Sequence, residues 1–400
     1  MPLCHLADVL ARFAQKDSQI SLRAARRKSE GSDGDGPCDS RPFPKPRLFP
    51  GLGNYPIYLE LATTFSLGFY LEDGPRLSLR PFVPARTMRT ASADQSLASH
   101  LGAAERSSKN HAGACDHEQM LGQYIPLLYH YNMLQDTDRV GAFFAAIELL
   151  VRPGMHVLEL GGGTGILSSF AARQGAHVSC VERNPELVRS ASRFIQVNGL
   201  EGKISLINAD AARYVPSAPV DIVICEMLHV GLLREKQANV IAAFKRNYTQ
   251  VHGPTLPVFI PEASILMAQP IHQSFDFAGY IAPVPMFQAP LLDQPRTTPL
   301  GALSPYANIA YNDFIPLEFN IHQRVRSIAN GTVNALRLVT QNVLGIDMEK
   351  QQAITWPNQC LVLPVETPFD VVAGQEIDMS FAYTAGGTID SVSESMKLSS

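Results

Sequence analysis

From about residue 116 the apolar positions fall into two successive rhythms. The first alternates helical spacing with short buried runs. "EQMLGQYIPLLYHYNMLQDTDRVGAFFAAIELL" repeats apolar residues at intervals of three and four, which marks one face of a helix. Pro153-Gly154 then turns the chain into "HVLEL", a short buried strand. A glycine-rich turn opens the helix "GILSSFAARQG", with Gly175 suited to cap its C-terminus. "HVSCVE" is the next strand, and Asn184-Pro185 starts a helix that runs to about Asn198 and stops at Gly199. "ISLINAD" and "VDIVICE" are two more apolar, β-branched strands. Strands alternating with helices at this spacing predict βαβ units and a parallel sheet.

The second rhythm begins after about residue 256. "PVFIPEASILMAQPI", "FIPLEFNIHQRVR", "NALRLVTQNVL", "QCLVLPVE" and "EIDMSFAY" are strand-like runs separated by turn residues, with no convincing helix between them. They predict a mostly antiparallel β-domain. The Pro- and Leu-rich stretch from about 281 to 305 reads as an insertion among its early strands. Residues 1–115 follow neither rhythm. Their Gly, Pro, Ser and charge content cannot bury enough apolar surface to offset the entropy of ordering, so a largely disordered region is expected there. The expected organisation is therefore 1–115, 116–256 and 257–400.

Composition narrows the picture further. A net charge of −4 gives no bulk electrostatic case for nucleic acid or a membrane surface. The six cysteines show no CxxC pairing, which argues against a metal site or a disulfide framework and fits a reducing compartment. No apolar run reaches the roughly 18 residues that span a bilayer. A soluble, cytoplasmic protein is the resulting expectation.

Chemistry concentrates at "LELGGGTGIL", a strand, a turn and a helix start. Gly161, Gly163 and Gly165 leave the backbone bare, so a ligand can approach it, and the helix start offers free N–H groups. Glu159 precedes the turn. Glu182 ends the following strand, 19 residues after Gly163, and is suited to accept ribose hydroxyls. Asp210 ends the third strand and is suited to accept from an adenine amine. Taken alone, the turn also suits a dinucleotide, although its third glycine comes too early for G-x-G-x-x-G. Together, E-L-G-G-G-T-G with a strand-ending Glu and Asp resembles the class I S-adenosylmethionine-dependent methyltransferases. That resemblance implies S-adenosylmethionine as cofactor, held by Glu159, Gly161, Gly163, Gly165, Glu182 and Asp210.

"CEMLHVGLLREKQ" follows the fourth strand and carries Glu226 and Glu235, nine positions apart. Read locally, Glu226 could end a strand in solvent and Glu235 sit in a helical first turn, where acids are favoured. The stretch also resembles the double-glutamate loop of the protein arginine methyltransferases. Carboxylates grip a planar, always-charged guanidinium through parallel hydrogen bonds, so the resemblance implies Glu226 and Glu235 as the catalytic pair. "YIPLLYHYNMLQDTDRV" resembles the family's segment before the cofactor fold. There it implies Met133 packing on the cofactor, Arg139 pairing with the cofactor carboxylate, and Tyr124 in the substrate pocket. His130 and Asp136 fall on neighbouring family positions. "ITWPNQCLVLP" falls where the family's T-H-W loop lies, which implies Trp356 as a wall of the arginine slot. The antiparallel region then corresponds to the family's β-barrel.

Met120, Met227, Thr355 and Gln237 depart from the family pattern. They keep open a small amine or guanidino metabolite as acceptor beside a protein arginine. A silent binding protein on the same fold is a third reading. A homodimer is open as well.

Overall fold

The structure, a computed structural model, describes residues 127–291 and 293–400. They lie in one compact unit, Ser108–Ser400. Tyr124, Met120 and the region expected to be disordered lie outside the described residues.

Over the described residues, the helical pattern of the first apolar run is broken into α1 (Leu127–Met133) and α2 (Thr137–Leu150). Asp136 separates them, because its carboxylate accepts from the Arg139 N–H at 3.0 Å and so caps α2. The βαβ pattern follows as β1 (His156–Leu160), α3 (Ile166–Arg173), β2 (His177–Glu182), α4 (Pro185–Val197), β3 (Ile204–Asn208), β4 (Ile222–Cys225), α5 (Gln237–His252) and β5 (Val258–Ile260). Asn184 caps α4, accepting from Glu186 N–H at 2.9 Å, with Pro185 beside it in the first turn. The five strands form a parallel sheet in the order β3-β2-β1-β4-β5. Val157, Leu158, Leu160, Val181, Ile222, Val223 and Ile224 are buried within it. Such uninterrupted burial is the mark of a sheet covered on both faces.

β5 pairs with β4, so the parallel sheet runs past the boundary expected near residue 256. The strand-rich remainder comprises β6 (Ala263–Gln273), β7 (Asp276–Phe277), β8 (Tyr280–Ile281), β9 (Met286–Gln288), β10 (Thr297–Pro299), β11 (Ser304–Ala310), β12 (Glu318–Arg326), β13 (Gly331–Asp347), β14 (Gln352–Pro357), β15 (Cys360–Val371), β16 (Glu376–Thr384) and β17 (Lys397–Ser399). One helix, α6 (Ile389–Ser395), lies near its end. The stretch expected as an insertion carries the short strands β9 and β10 and the start of β11. All the pairings here are antiparallel. The main sheet runs β10-β6-β13-β15-β9, with β11 on β6 and β14 on β13. β12, β16 and β17 form another sheet.

β13 joins this part to the first. A side chain at Gly345 would put its Cβ 3.3 Å from Leu150 and 3.6 Å from Ala146. The bare backbone thus lets α2 lie directly on the strand. The Gly231 N–H, in the loop before α5, donates to Thr340 Oγ1 on β13 at 2.8 Å. No helix among the described residues is long and apolar enough to cross a membrane.

Candidate active site

The C-terminal edge of a parallel sheet is where strand ends and helix starts leave a crevice. Here a cavity of about 250 Å³ opens at that edge. Its lining includes Met133, Arg139, Glu159, Gly161, Gly163, Glu182, Asp210, Glu226 and Glu235. Nine of the site residues expected from the sequence thus meet in one place.

Gly161, Gly163 and Gly165 have φ of 76°, 54° and 76°, the left-handed region that a side chain rarely adopts. A Cβ at Gly161 would lie 3.2 Å from the Met227 side chain, and one at Gly163 would lie 3.4 Å from His130 Nδ1. The turn therefore keeps a bare backbone cradle between those two side chains. Gly165 shapes the turn from behind and is not part of the lining. Glu182 tightens it: one carboxylate oxygen accepts from Gly163 N–H at 2.9 Å and the other from Asn184 N–H at 2.7 Å. Each oxygen keeps a lone pair for a hydroxyl donor. Asp210 accepts from Ala212 N–H at 2.9 Å and lines the cavity beyond. Bare glycines flanked by two acceptor acids fit the ribose and amine donors of S-adenosylmethionine.

Glu159 also lines the cavity. It is buried beneath the turn, where Oε2 accepts from Ser168 N–H at 2.9 Å, from the Ser168 hydroxyl, and from the Cys180 thiol at 3.7 Å. Burial pushes its carboxyl up to about 8 against the lowering effect of the Ser168 bonds. It holds the first turn of α3.

Arg139 and Glu226 form an ion pair inside the cavity, their side chains only 11% and 8% exposed. Glu226 thus receives its basic partner from α2. Burial works against the Arg139 charge, but Glu226 and Glu235 hold it up. Glu226 Oε1 remains buried with no hydrogen-bond partner among the described residues. Burial, and then the Glu226 charge, push the Glu235 carboxyl up to about 8. His130, on the cavity wall, is lowered by burial.

Trp356 is 8% exposed, and its ring lies 5.1 Å from the Arg139 guanidinium carbon. It walls Arg139 rather than the cavity itself, whose lining does not include it. Met227 beneath Gly161, Asn184 beside Glu182 and Gln237 behind Glu226 act on the site without having been singled out for those positions. Their signals were partial: Asn184 stands before Pro185 at a helix start, and Met227 and Gln237 depart from the family pattern.

The profile of the family described as "Methyltransferase domain" matches residues 157–250. An uncharacterized protein of Methanothermobacter thermautotrophicus is 30% identical over 273 residues, 67% of this chain and 97% of that one. The Arginine N(omega)-methyltransferase of Streptomyces achromogenes is 31% identical over 134 residues, 32% of this chain and 37% of its own length. The Protein arginine N-methyltransferase 1 of Saccharomyces cerevisiae is 34% identical over 133 residues, 32% and 38% of the two chains. The chain is an S-adenosylmethionine-dependent methyltransferase similar to the arginine methyltransferases. The methyltransferase spans less than half the length of these two named enzymes. Its fold is shared with the Trypanosoma brucei PRMT1 enzyme-prozyme heterotetrameric complex with AdoHcy, at a TM-score of 0.52 and 20% identity, over 63% of this chain and 86% of that one.

Proposed function

We propose that the enzyme is an N-methyltransferase that holds a guanidinium between Glu226 and Glu235. The observation that carries this is the state of those two acids. Glu226 has a buried oxygen without a partner, and Glu235 beside it is held toward its neutral form by burial and by the Glu226 charge. Two carboxylates crowded in this way favour a planar cation that donates to both. S-adenosylmethionine would lie on Gly161, Gly163, Glu182 and Asp210, with Met133 against it, and supply an electrophilic methyl group on a sulfonium. The acids would then aim one acceptor nitrogen at that methyl and draw positive charge to the others. Arg139 is divided between Glu226 and the carboxylate of the cofactor. Trp356 holds the Arg139 guanidinium by cation–π contact. Tyr124 belongs to the same proposal as a substrate contact.

A protein arginine is the acceptor we favour. Free arginine or another small guanidine or amine is the second reading, favoured by the likeness to the enzyme named Arginine N(omega)-methyltransferase. Tritiated-methyl transfer to arginine-rich peptides, free arginine, guanidines and amines separates them. Incorporation into peptides supports the first reading, and incorporation only into small acceptors replaces it. Transfer to amines but to no guanidine refutes the double-carboxylate grip. The proposal keeps the three parts 1–115, 116–256 and 257–400, with β5 assigned to the parallel sheet. A reducing, cytoplasmic setting suits the buried free thiols Cys180, Cys225 and Cys360. A homodimer belongs to the same proposal and is read by light scattering.

A further inference from the structure

Gln237 is fully buried at the first position of α5. Its Nε2 donates to the Cys225 carbonyl at 2.7 Å, and its Oε1 accepts from Met227 N–H at 2.9 Å. Those two groups flank Glu226, so one carboxamide closes over the peptide units on both sides of the acid. The Tyr311 hydroxyl, also buried, lies 2.9 Å from Ser264 Oγ. Ser264 donates to Asn342 Oδ1 at 2.7 Å. Asn342 Nδ2 donates to the Trp356 carbonyl at 3.2 Å and to Asn358 Oδ1 at 2.8 Å. Asn358 Nδ2 returns to the Leu228 carbonyl at 3.1 Å. Gln237 thus clamps one end of the 225–228 loop, and a buried chain of polar groups that also bonds the Trp356 carbonyl reaches its other end at Leu228.

We propose that Gln237 is the positioning residue for Glu226, and that the buried chain from Tyr311 to Asn358 locks the other end of the glutamate loop to the Trp356 loop. This rests on the reading that Glu226 faces the acceptor. The physical reason is that a buried amide or hydroxyl left without a partner is expensive, so a fully satisfied network has one arrangement. Gln237 touches neither acceptor nor cofactor. It acts by holding the backbone from which the Glu226 carboxylate projects.

Gln237→Met keeps the volume and removes both bonds to the loop. Hydrogen exchange on the full chain should rise about tenfold or more in the peptide spanning residues 222–232, while residues 156–165 stay within about twofold. Turnover should fall about 10- to 100-fold with the cofactor KM nearly unchanged. Gln237→Glu keeps the acceptor for Met227 N–H and should recover part of that loss. Asn358→Ala, at the far end of the chain, should raise exchange in the same peptide, and the two changes should be less than additive. If Gln237→Met does not fold, Asn358→Ala decides the matter alone. Unchanged exchange in the 222–232 peptide, or an equal rise across the glycine turn, overturns the proposal. A wild-type enzyme that methylates no guanidine overturns the acceptor reading instead, and the exchange result still judges Gln237.

Discussion

Glu226→Gln tests the centre of the site, because it removes one charge and almost no volume. Glu226 faces Arg139 across a pair whose side chains are 8% and 11% exposed. The substitution leaves the Arg139 guanidinium buried without its countercharge. Breaking a buried pair by removing one partner costs about 3–5 kcal/mol. The glutamine oxygen can still accept one hydrogen bond, so about 3 kcal/mol is expected. At about 2–4 °C per kcal/mol in a domain of this size, the melting temperature should fall by about 6–12 °C. Turnover should fall further, by about 10²–10³-fold, since a buried charge-assisted contact to the acceptor is lost. Removing the Glu226 charge also removes one of the two causes that raise Glu235, so Glu235 should ionise at lower pH. Thermal melts at pH 7, calorimetry with S-adenosylhomocysteine and single-turnover methyl transfer read these effects. Unchanged melting together with unchanged turnover would refute both the buried pair and its role. A lowered melting temperature with normal transfer would refute the role alone.

Further outcomes follow from neighbouring groups. With Glu235 titrating near 8 and a guanidinium charged throughout, kcat/KM should climb with pH toward about 8; Glu235→Gln should flatten that limb, and a limb that persists unaltered would assign it elsewhere. The raised pKa has a consequence for stability too. Both Glu235 and Glu159 keep their protons to about pH 8 in the fold, whereas the unfolded chain loses them near 4.5. The free protein should therefore be most stable below about 4.5 with respect to these groups and lose up to about 1.4 kcal/mol per group for each pH unit up to about 8; urea melts at several pH values would show the opposite slope if the acids were ionised in the fold. At Gly162 a Cβ would run into Cys180 Sγ, so Gly162→Ala should cost about 1–3 kcal/mol by overpacking, and Cys180→Ala should recover much of it; failure of that rescue in thermal melts would place the strain in the backbone.

How much could be read from the chain alone depended on the range of the interactions involved. Alternating apolar runs located β1 to β4 and the helices between them, because a buried strand and a helix face each impose a period on neighbouring residues. The glycine turn and the acids after β2 and β3 were equally legible, since they stand at element ends that the same period marks. Nothing local showed that β5 returns to the parallel sheet: three residues of strand carry no period, and only pairing with β4 assigns them. The break between α1 and α2 came from one carboxylate turning back onto a backbone N–H.

The sequence by itself determined the two-part fold and most of the residues that meet in the cavity, through patterns that act within a few turns of chain. Tertiary structure decided what those residues do to one another. It brought Arg139 from α2 onto Glu226, lodged Glu159 under the turn, set Trp356 against Arg139 and closed Gln237 over the glutamate loop. These are contacts between groups far apart in sequence, made in a buried setting where an unpaired charge or amide is costly. Their energies depend on burial and on the partner across the cavity, and neither is a property of the local sequence.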